Sequence, residues 1–185
     1  MQTFPLVMTE PFDPAQLVAR VRDGSADALS DLYARYGNTL MAVAFRLMGS
    51  RADAEDVLHD VFLGLPEALR RYDERGALES WLKRVTARVA LTRLRGRERA
   101  REVSFDDDDV PLPTHGNMDR LADSIAVQRA IDALPETLRL VFVLREVEGY
   151  SHAEIAELLE IKTNASEVRL HRAIRSLRRT LGGEP

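Results

Sequence analysis

The sequence predicts an all-α protein of two small helical domains joined by an acidic flexible linker, the C-terminal one a four-helix domain with a helix-turn-helix. Three observations predict it. Apolar residues recur at spacings of three and four, and no segment alternates with a period of two. The stretch SFDDDDVPLPTHGN breaks that pattern with consecutive aspartates, two prolines and a glycine. Ser151 to Leu177 reads as a short helix, a tight turn and a longer basic helix.

The elements follow in order. Residues 1–13 carry Pro5, Pro11 and charges without periodicity and read as a flexible tail. Asp13 and Pro14 form a cap and first helical position, followed by Leu17, Val18 and Val21. Ser25 or Asp27 starts a helix with Leu29, Leu32, Tyr36, Leu40, Val43 and Leu47 on its apolar side, and Gly49 ends it. Asp53 opens the next, with Val57, Leu58, Val61, Phe62 and Leu65 on one face and Pro66 as a kink position. YDERGALES reads as a loop, and Trp81, Val85, Val89 and Leu94 mark a helix running into RLRGRERAR. These elements make an N-terminal domain of residues 14–99; the linker covers 100–119 and the second domain 120–185. Within the latter, Met118 to Ile131, PETLRLVFVLREVEG, YSHAEIAELLEI and TNASEVRLHRAIRSLRRTL read as helices.

Composition excludes several functions. The sequence has no cysteine, which removes disulfides, Cys-based zinc sites and thiol nucleophiles. The N-terminus lacks the basic and apolar regions of a secretory signal, and no apolar run reaches the roughly 20 residues that span a bilayer. A cytoplasmic protein without membrane insertion is expected. A net charge of −4 argues against nucleic-acid binding only if charge is evenly spread, and it is not.

Two basic tracts stand out. In the last helix, Arg169, His171, Arg172, Arg175, Arg178 and Arg179 alternate with Val168, Ile174 and Leu177, which are expected to be its buried side. Ser151 and Glu154 form a capping box for the helix before it, and Ala156 is small enough for a close crossing. A second helix of such a pair lies in the major groove, where arginine binds guanine edges or phosphates. The first tract, WLKRVTARVALTRLRGRER, carries Lys83, Arg84, Arg88, Arg93, Arg95, Arg97 and Arg99, with hydroxyls at Thr86 and Thr92. Such a surface follows a phosphate backbone. Its bland alternative is a solvated charged helix.

In this order and spacing, DAEDVLHDVF, ESWLKRVTARVALTRLR, the acidic linker, LPETLRLVFVLREVEGYSHAEIAELLEI and VRLHRAIRSLRR resemble the extracytoplasmic-function sigma factors of the sigma-70 family over residues 15–180. The resemblance implies a transcription initiation factor that binds core RNA polymerase, recognises −10 and −35 promoter elements and melts DNA. It implies that Asp53, Glu55, Asp56 and Asp60, with Val57 and Phe62 as apolar support, dock on the β′ clamp helices. It implies −10 contacts from Arg75, Trp81, Lys83, Arg84, Arg88, Thr92, Arg93 and Arg95, and −35 contacts from Asn164, Ser166, Glu167, Arg169, His171, Arg172 and Arg175. The LPETLRLVFVLRE helix lies where the family meets the β flap, and the acidic linker where it threads toward the polymerase active-site cleft. Many relatives are held by an anti-sigma factor, although no residue here identifies one. Two departures from the family pattern appear: Glu160 stands where glycine is usual, and Glu167 where a basic or polar residue is common.

One rival is a helix-turn-helix regulator independent of polymerase, which leaves the acidic helix and the first basic tract without a role. The other is an enzyme. Glu55, Asp56, His59 and Asp60 have metal-ligand spacing, but a di-iron bundle needs a second Glu-x-x-His pair, and none is found. No cofactor is expected, and no phosphate-binding glycine loop or nucleophile–base pair appears.

Overall fold

A computed structural model describes residues 13–73, 78–103 and 122–182; the expected tail before Asp13, most of the linker and Arg75 lie outside the described residues. Among the described residues every regular element is helical.

Helix α1 (Pro14–Arg22) begins as its sequence requires, with the Asp13 carboxylate accepting the Ala15 N–H at 2.9 Å and Pro14 in the first turn. Helix α2 (Ala26–Met48) is capped by the Ser25 hydroxyl and stops at Gly49, whose φ of 72° is left-handed. Helix α3 (Arg51–Arg70) is capped by Ser50; Asp53, expected to open it, lies inside its first turn, where a carboxylate favours the positive end of the helix dipole. The helix runs on through Pro66. Arg22 then satisfies its far end, donating from Nε to the Leu69 carbonyl at 2.8 Å and from its other arm to the Tyr72 carbonyl.

Helix α4 (Leu78–Val103) starts inside the expected loop and extends past residue 99 into the expected linker. Its buried stripe is Leu78, Leu82, Ala87, Ala90, Leu91 and Leu94. Trp81, Val85 and Val89, read from sequence as the anchors, pack at the margin of that core, and Trp81 lies against the Tyr72 ring with centroids 4.7 Å apart. Alanines on the buried side are what shifted the register of the expected stripe.

The C-terminal part consists of α5 (Ala122–Asp132), α6 (Glu136–Phe142), a π-helical turn (Val143–Val147), α7 (His152–Leu159) and α8 (Thr163–Thr180). Its apolar side chains do not stay apart from the first body. Leu140, Val141, Val143, Leu144, Tyr150 and Ile155 belong to one continuous core with the residues of α1 to α4. A second, smaller core of Ala130, Leu134, Ala173 and Leu177 joins α5 to α8. Arg46 of α2 reaches across to Glu148, Nε to Oε1 at 2.8 Å, and the Glu148 side chain is only 4% exposed. Two bodies were expected, and the structure packs them face to face.

Tyr150 sits in that seam with its hydroxyl buried and unpartnered. Burial, reinforced by the Glu148 carboxylate, pushes the phenol up to about 12. The folded state therefore favours the protonated ring. The associated stability is complete below the unfolded value near 10 and is lost as pH rises through about 12. Tyr150→Phe should unfold in urea at the same or a higher midpoint at pH 8, since it removes an unsatisfied buried hydroxyl. It should also flatten the loss of stability between pH 10 and 12, compared by parallel urea titrations of the two proteins.

Candidate nucleic-acid interface

The helix-turn-helix is built by α7, the turn 160–162 and α8. Ser151 caps α7 reciprocally: its Oγ accepts the Glu154 N–H, and the Glu154 carboxylate accepts the Ser151 N–H at 2.9 Å and its hydroxyl at 2.8 Å. These bonds, with Arg84 beside them, hold the Glu154 carboxyl below its usual range. Ile155 and Ala156 face inward, as expected from sequence. The turn is made by Glu160, at φ 55° and ψ 42°, the one non-glycine residue with positive φ among those described. That left-handed conformation costs a side-chain-bearing residue roughly 1–2 kcal/mol, which explains why glycine suits the position.

Helix α8 is rotated from its expected setting. Ser166, Ala173 and Leu177 are buried and Leu170 packs against the larger core, while Val168 is 43% exposed. Ser166 was read as a base contact. It is instead fully buried, and its hydroxyl meets His152 Nδ1 at 2.9 Å, tying α8 to α7. Arg169 also differs, since it lines a cleft against α4 and α6 with Leu91, Arg95 and Glu136. The open face carries Asn164, Glu167, Val168, His171, Arg172 and Arg175, with Arg175 donating to His171 at 3.3 Å.

On α4 the basic side chains divide between two acidic neighbours. Arg93 spans Asp60 at 2.5 Å and Asp56 at 2.6 Å, and Arg97 holds Asp53 at 2.8 Å. The Arg97 bond is the main reason the Asp53 carboxyl lies below its usual range. Asp53, Asp56 and Asp60 share the exposed side of α3 with Leu63, which is 74% exposed, and Glu55 pairs with Arg51. Val57 and Phe62 are not on that side: Val57 is wholly buried and Phe62 nearly so, its ring edge-on to exposed Tyr33 at 5.0 Å. Their support for the acidic face is internal.

Arg84, Arg88 and Arg95 point the other way, to Glu154 at 2.7 Å, Glu157 at 3.9 Å and Glu160 on α7 and its turn. Lys83 pairs with Glu79 on its own helix. Thr86 is buried and Thr92 exposed, and each hydroxyl donates to the carbonyl four residues back. The glutamates of α7 were not legible as partners, because the pairing joins residues some seventy positions apart.

This order of a four-helix body with a basic α4 and a helix-turn-helix body is matched by known proteins. Residues 32–100 match Sigma-70 region 2, and residues 124–177 match Sigma-70, region 4. RNA polymerase sigma factor CarQ of Myxococcus xanthus is 32% identical over 166 residues, covering 88% of this chain and 94% of CarQ. ECF RNA polymerase sigma factor SigM of Mycobacterium tuberculosis is 32% identical over 171 residues, covering 91% and 84% of the two chains. The chain belongs to the ECF RNA polymerase sigma factors. It is an RNA polymerase-binding factor that confers promoter specificity, not an enzyme. The fold of this sigma factor agrees with RpoE of Bartonella quintana, solved with the anti-sigma factor NepR (TM-score 0.65, 18% identity, 84% of this chain and 98% of that one). It also agrees with CnrH, solved with the cytosolic domain of CnrY (TM-score 0.54, 25% identity, 92% and 97%). No helix among the described residues of this sigma factor is long and apolar enough to cross a membrane.

The capping box gives a direct check on the local geometry. Ser151→Ala should cost about 1 kcal/mol, the usual worth of a serine cap, read from urea denaturation. Because a depressed carboxyl stabilises above its unfolded value and loses that contribution as pH falls through the folded one, the variant should also be less sensitive to acid. NMR titration of the Glu154 carboxyl should show it moving back toward its usual range.

Proposed function

We propose that this sigma factor divides its work among three helix faces in the cytoplasm. The acidic side of α3, with Asp53, Glu55, Asp56, Asp60 and exposed Leu63, docks on the β′ clamp helices. The basic side of α4, with Lys83, Arg84, Arg88, Arg95 and the partly exposed Trp81, engages and opens the −10 region. The open face of α8 reads the −35 element, and α6 with its π-helical turn, where Val147 is 48% exposed, meets the β flap. The observation that carries this reading is the segregation of charge: carboxylates line α3 while guanidiniums line the neighbouring α4 and the outer face of α8. A protein of the anti-sigma class is a further partner under this reading, since the RpoE relative was solved with one. Arg169 and Ser166 are left out of base reading, because one turns toward α4 and the other is buried.

The docking assignment is tested by reversing charge on α3. Asp56→Lys with Asp60→Lys should abolish co-purification with core polymerase while circular dichroism stays helical, since both side chains are about half exposed. Arg93→Ala should leave core association intact. Normal core binding by the folded double variant would remove this face from the assignment.

The DNA assignments separate by step. Arg172→Ala should weaken closed-complex formation roughly ten- to a hundredfold, the cost of a bidentate base contact at 1–3 kcal/mol. Arg84→Ala with Arg88→Ala should spare that step and reduce opening, and a pre-melted −10 bubble should rescue it. Val168 is an exposed apolar side chain beside Glu167, the kind that meets a thymine methyl, so under this reading Val168→Ala should relax preference at one base pair. Permanganate footprinting on duplex and bubble templates distinguishes these outcomes. Equal rescue of both sets by the bubble would refute the division.

A further inference from the structure

A cleft of about 210 Å³ opens where α4, α6, α7 and α8 meet. Its apolar walls are Leu91 and Leu94 of α4, Leu140 of α6, and Leu158, Leu159 and Ile161 of α7 and its turn. A gap of that size forfeits contacts that a close-packed interior would make. It is larger than the roughly 150 Å³ apolar cavity that accepts benzene. It is smaller than the pockets of about 300 Å³ and above that enclose drug-sized ligands. The walls therefore suit an apolar body of one small ring or a short hydrocarbon chain.

The charged groups at the cleft say what such a body would carry. Arg95 and Arg169 both line it. Arg95 is held by Glu160, as each described arginine of α4 from Arg84 to Arg97 is held by a carboxylate. Arg169 has no such counter-ion. It is half-buried against leucines, and no carboxylate of the described residues lies within ion-pair distance of it. A guanidinium drawn partly out of water without a partner is costly, and its planar fork fits a carboxylate. Glu136, the one acid at the cleft, stands in the first turn of α6, where the helix dipole favours it, and its charge acts on Arg97.

We infer that this cleft is a binding site for a small apolar monocarboxylate, a medium-chain or phenyl-substituted aliphatic acid. Its tail lies among the leucines, and its carboxylate lies on Arg169 with Arg95 beside it. The site is separate from the acidic side of α3 and from the open face of α8, and its anchoring cation is the α8 arginine left out of base reading. Binding restores the missing dispersion contacts and supplies the missing counter-ion at once. Neither half of the ligand does both, which is what makes the site testable.

The test uses the full chain with octanoate as the probe. Thermal unfolding should shift upward with octanoate and saturate, with a Kd near or below about 1 mM. Methyl NMR signals should move selectively at Leu91, Leu140, Leu158 and Ile161. Acetate, the head without the tail, should cause no shift at equal concentration. Octanol, the tail without the charge, should bind roughly ten- to a hundredfold more weakly, the worth of a hydrogen bond to a charged group. Arg169→Gln should weaken octanoate by the same factor, leave octanol unchanged and keep the helical circular dichroism; Arg169→Lys should recover part of the loss. Leu158→Phe fills the cleft and should abolish binding of both, and if that variant does not fold, Arg169→Gln and the methyl shifts decide. No saturation by about 10 mM would overturn the site. Equal affinity for octanol and octanoate, or an Arg169→Gln chain that binds octanoate like the parent, would overturn the role of Arg169 and with it the ligand class. Cross-relaxation in the ligand-free chain between those methyls and Phe105, Val110 or Leu112 would give the cleft to the chain's own linker and overturn the inference as well.

Discussion

Helix α4 is asked to satisfy two demands that oppose each other. It must bury Leu82, Ala87, Ala90, Leu91 and Leu94 to hold the first body together, and it must carry a dense row of guanidiniums within the same turns. Like charges at helical spacings of three and four destabilise a helix. The structure resolves the conflict by supplying carboxylates from outside the helix, with α3 neutralising Arg93 and Arg97 and α7 neutralising Arg84, Arg88 and Arg95. The apolar seam places both neighbours, and their carboxylates then meet the guanidiniums of α4.

The two sets of pairs are not equivalent. Those between α3 and α4 join neighbouring helices of one body and tune the charge of its surface. Asp53 shows this, since its side chain is 19% exposed and its bond to Arg97 sets its acidity. Those between α4 and α7 cross between bodies whose chain connection lies outside the described residues. Exposed pairs are each worth about 0.2–1 kcal/mol. A set of that strength adds modestly to a contact that the shared apolar core and the Arg46–Glu148 pair already hold.

Much of this was legible in the sequence because helical signals are local. The Asp13–Pro14 start, the Gly49 stop and the Ser151–Glu154 box each involve residues within a few positions, and each formed as read; of the two starts open for α2, Ser25 is the cap and Asp27 lies in the first turn. The rotated faces of α4 and α8 share one cause. Small or polar residues took buried positions on α4 and α8, so that Thr86, Ala87, Ser166 and Ala173 carried no apolar signal and the inferred faces were rotated. Val168 was consigned to the core and Ser166 to DNA, when the reverse holds for their exposure. Ordinary apolar counting cannot see a close helix crossing that demands a small residue. It also cannot see Arg46 meeting Glu148 or Arg84 meeting Glu154, because nothing in the intervening sequence specifies how two bodies face each other.

The net charge of −4 gains a physical sense from these contacts. A chain that binds DNA through strongly basic helices and nothing else would bind any nucleic acid it met, since phosphate attraction carries no sequence information. Acidic faces placed against the basic ones change what the free chain presents. The guanidiniums remain in place, pre-arranged by α4, but a competing phosphate must displace a carboxylate that is tethered close by and therefore at high effective concentration. Under the proposed reading of α4, the guanidiniums that carry such attraction are the ones already paired with carboxylates. On the outer side of α8, Arg172 and Arg175 stay exposed. Charge balance in this sigma factor is thus a matter of geometry: the acids of α3 and α7 lie against the guanidiniums of α4, and the same number of aspartates and glutamates scattered elsewhere would not.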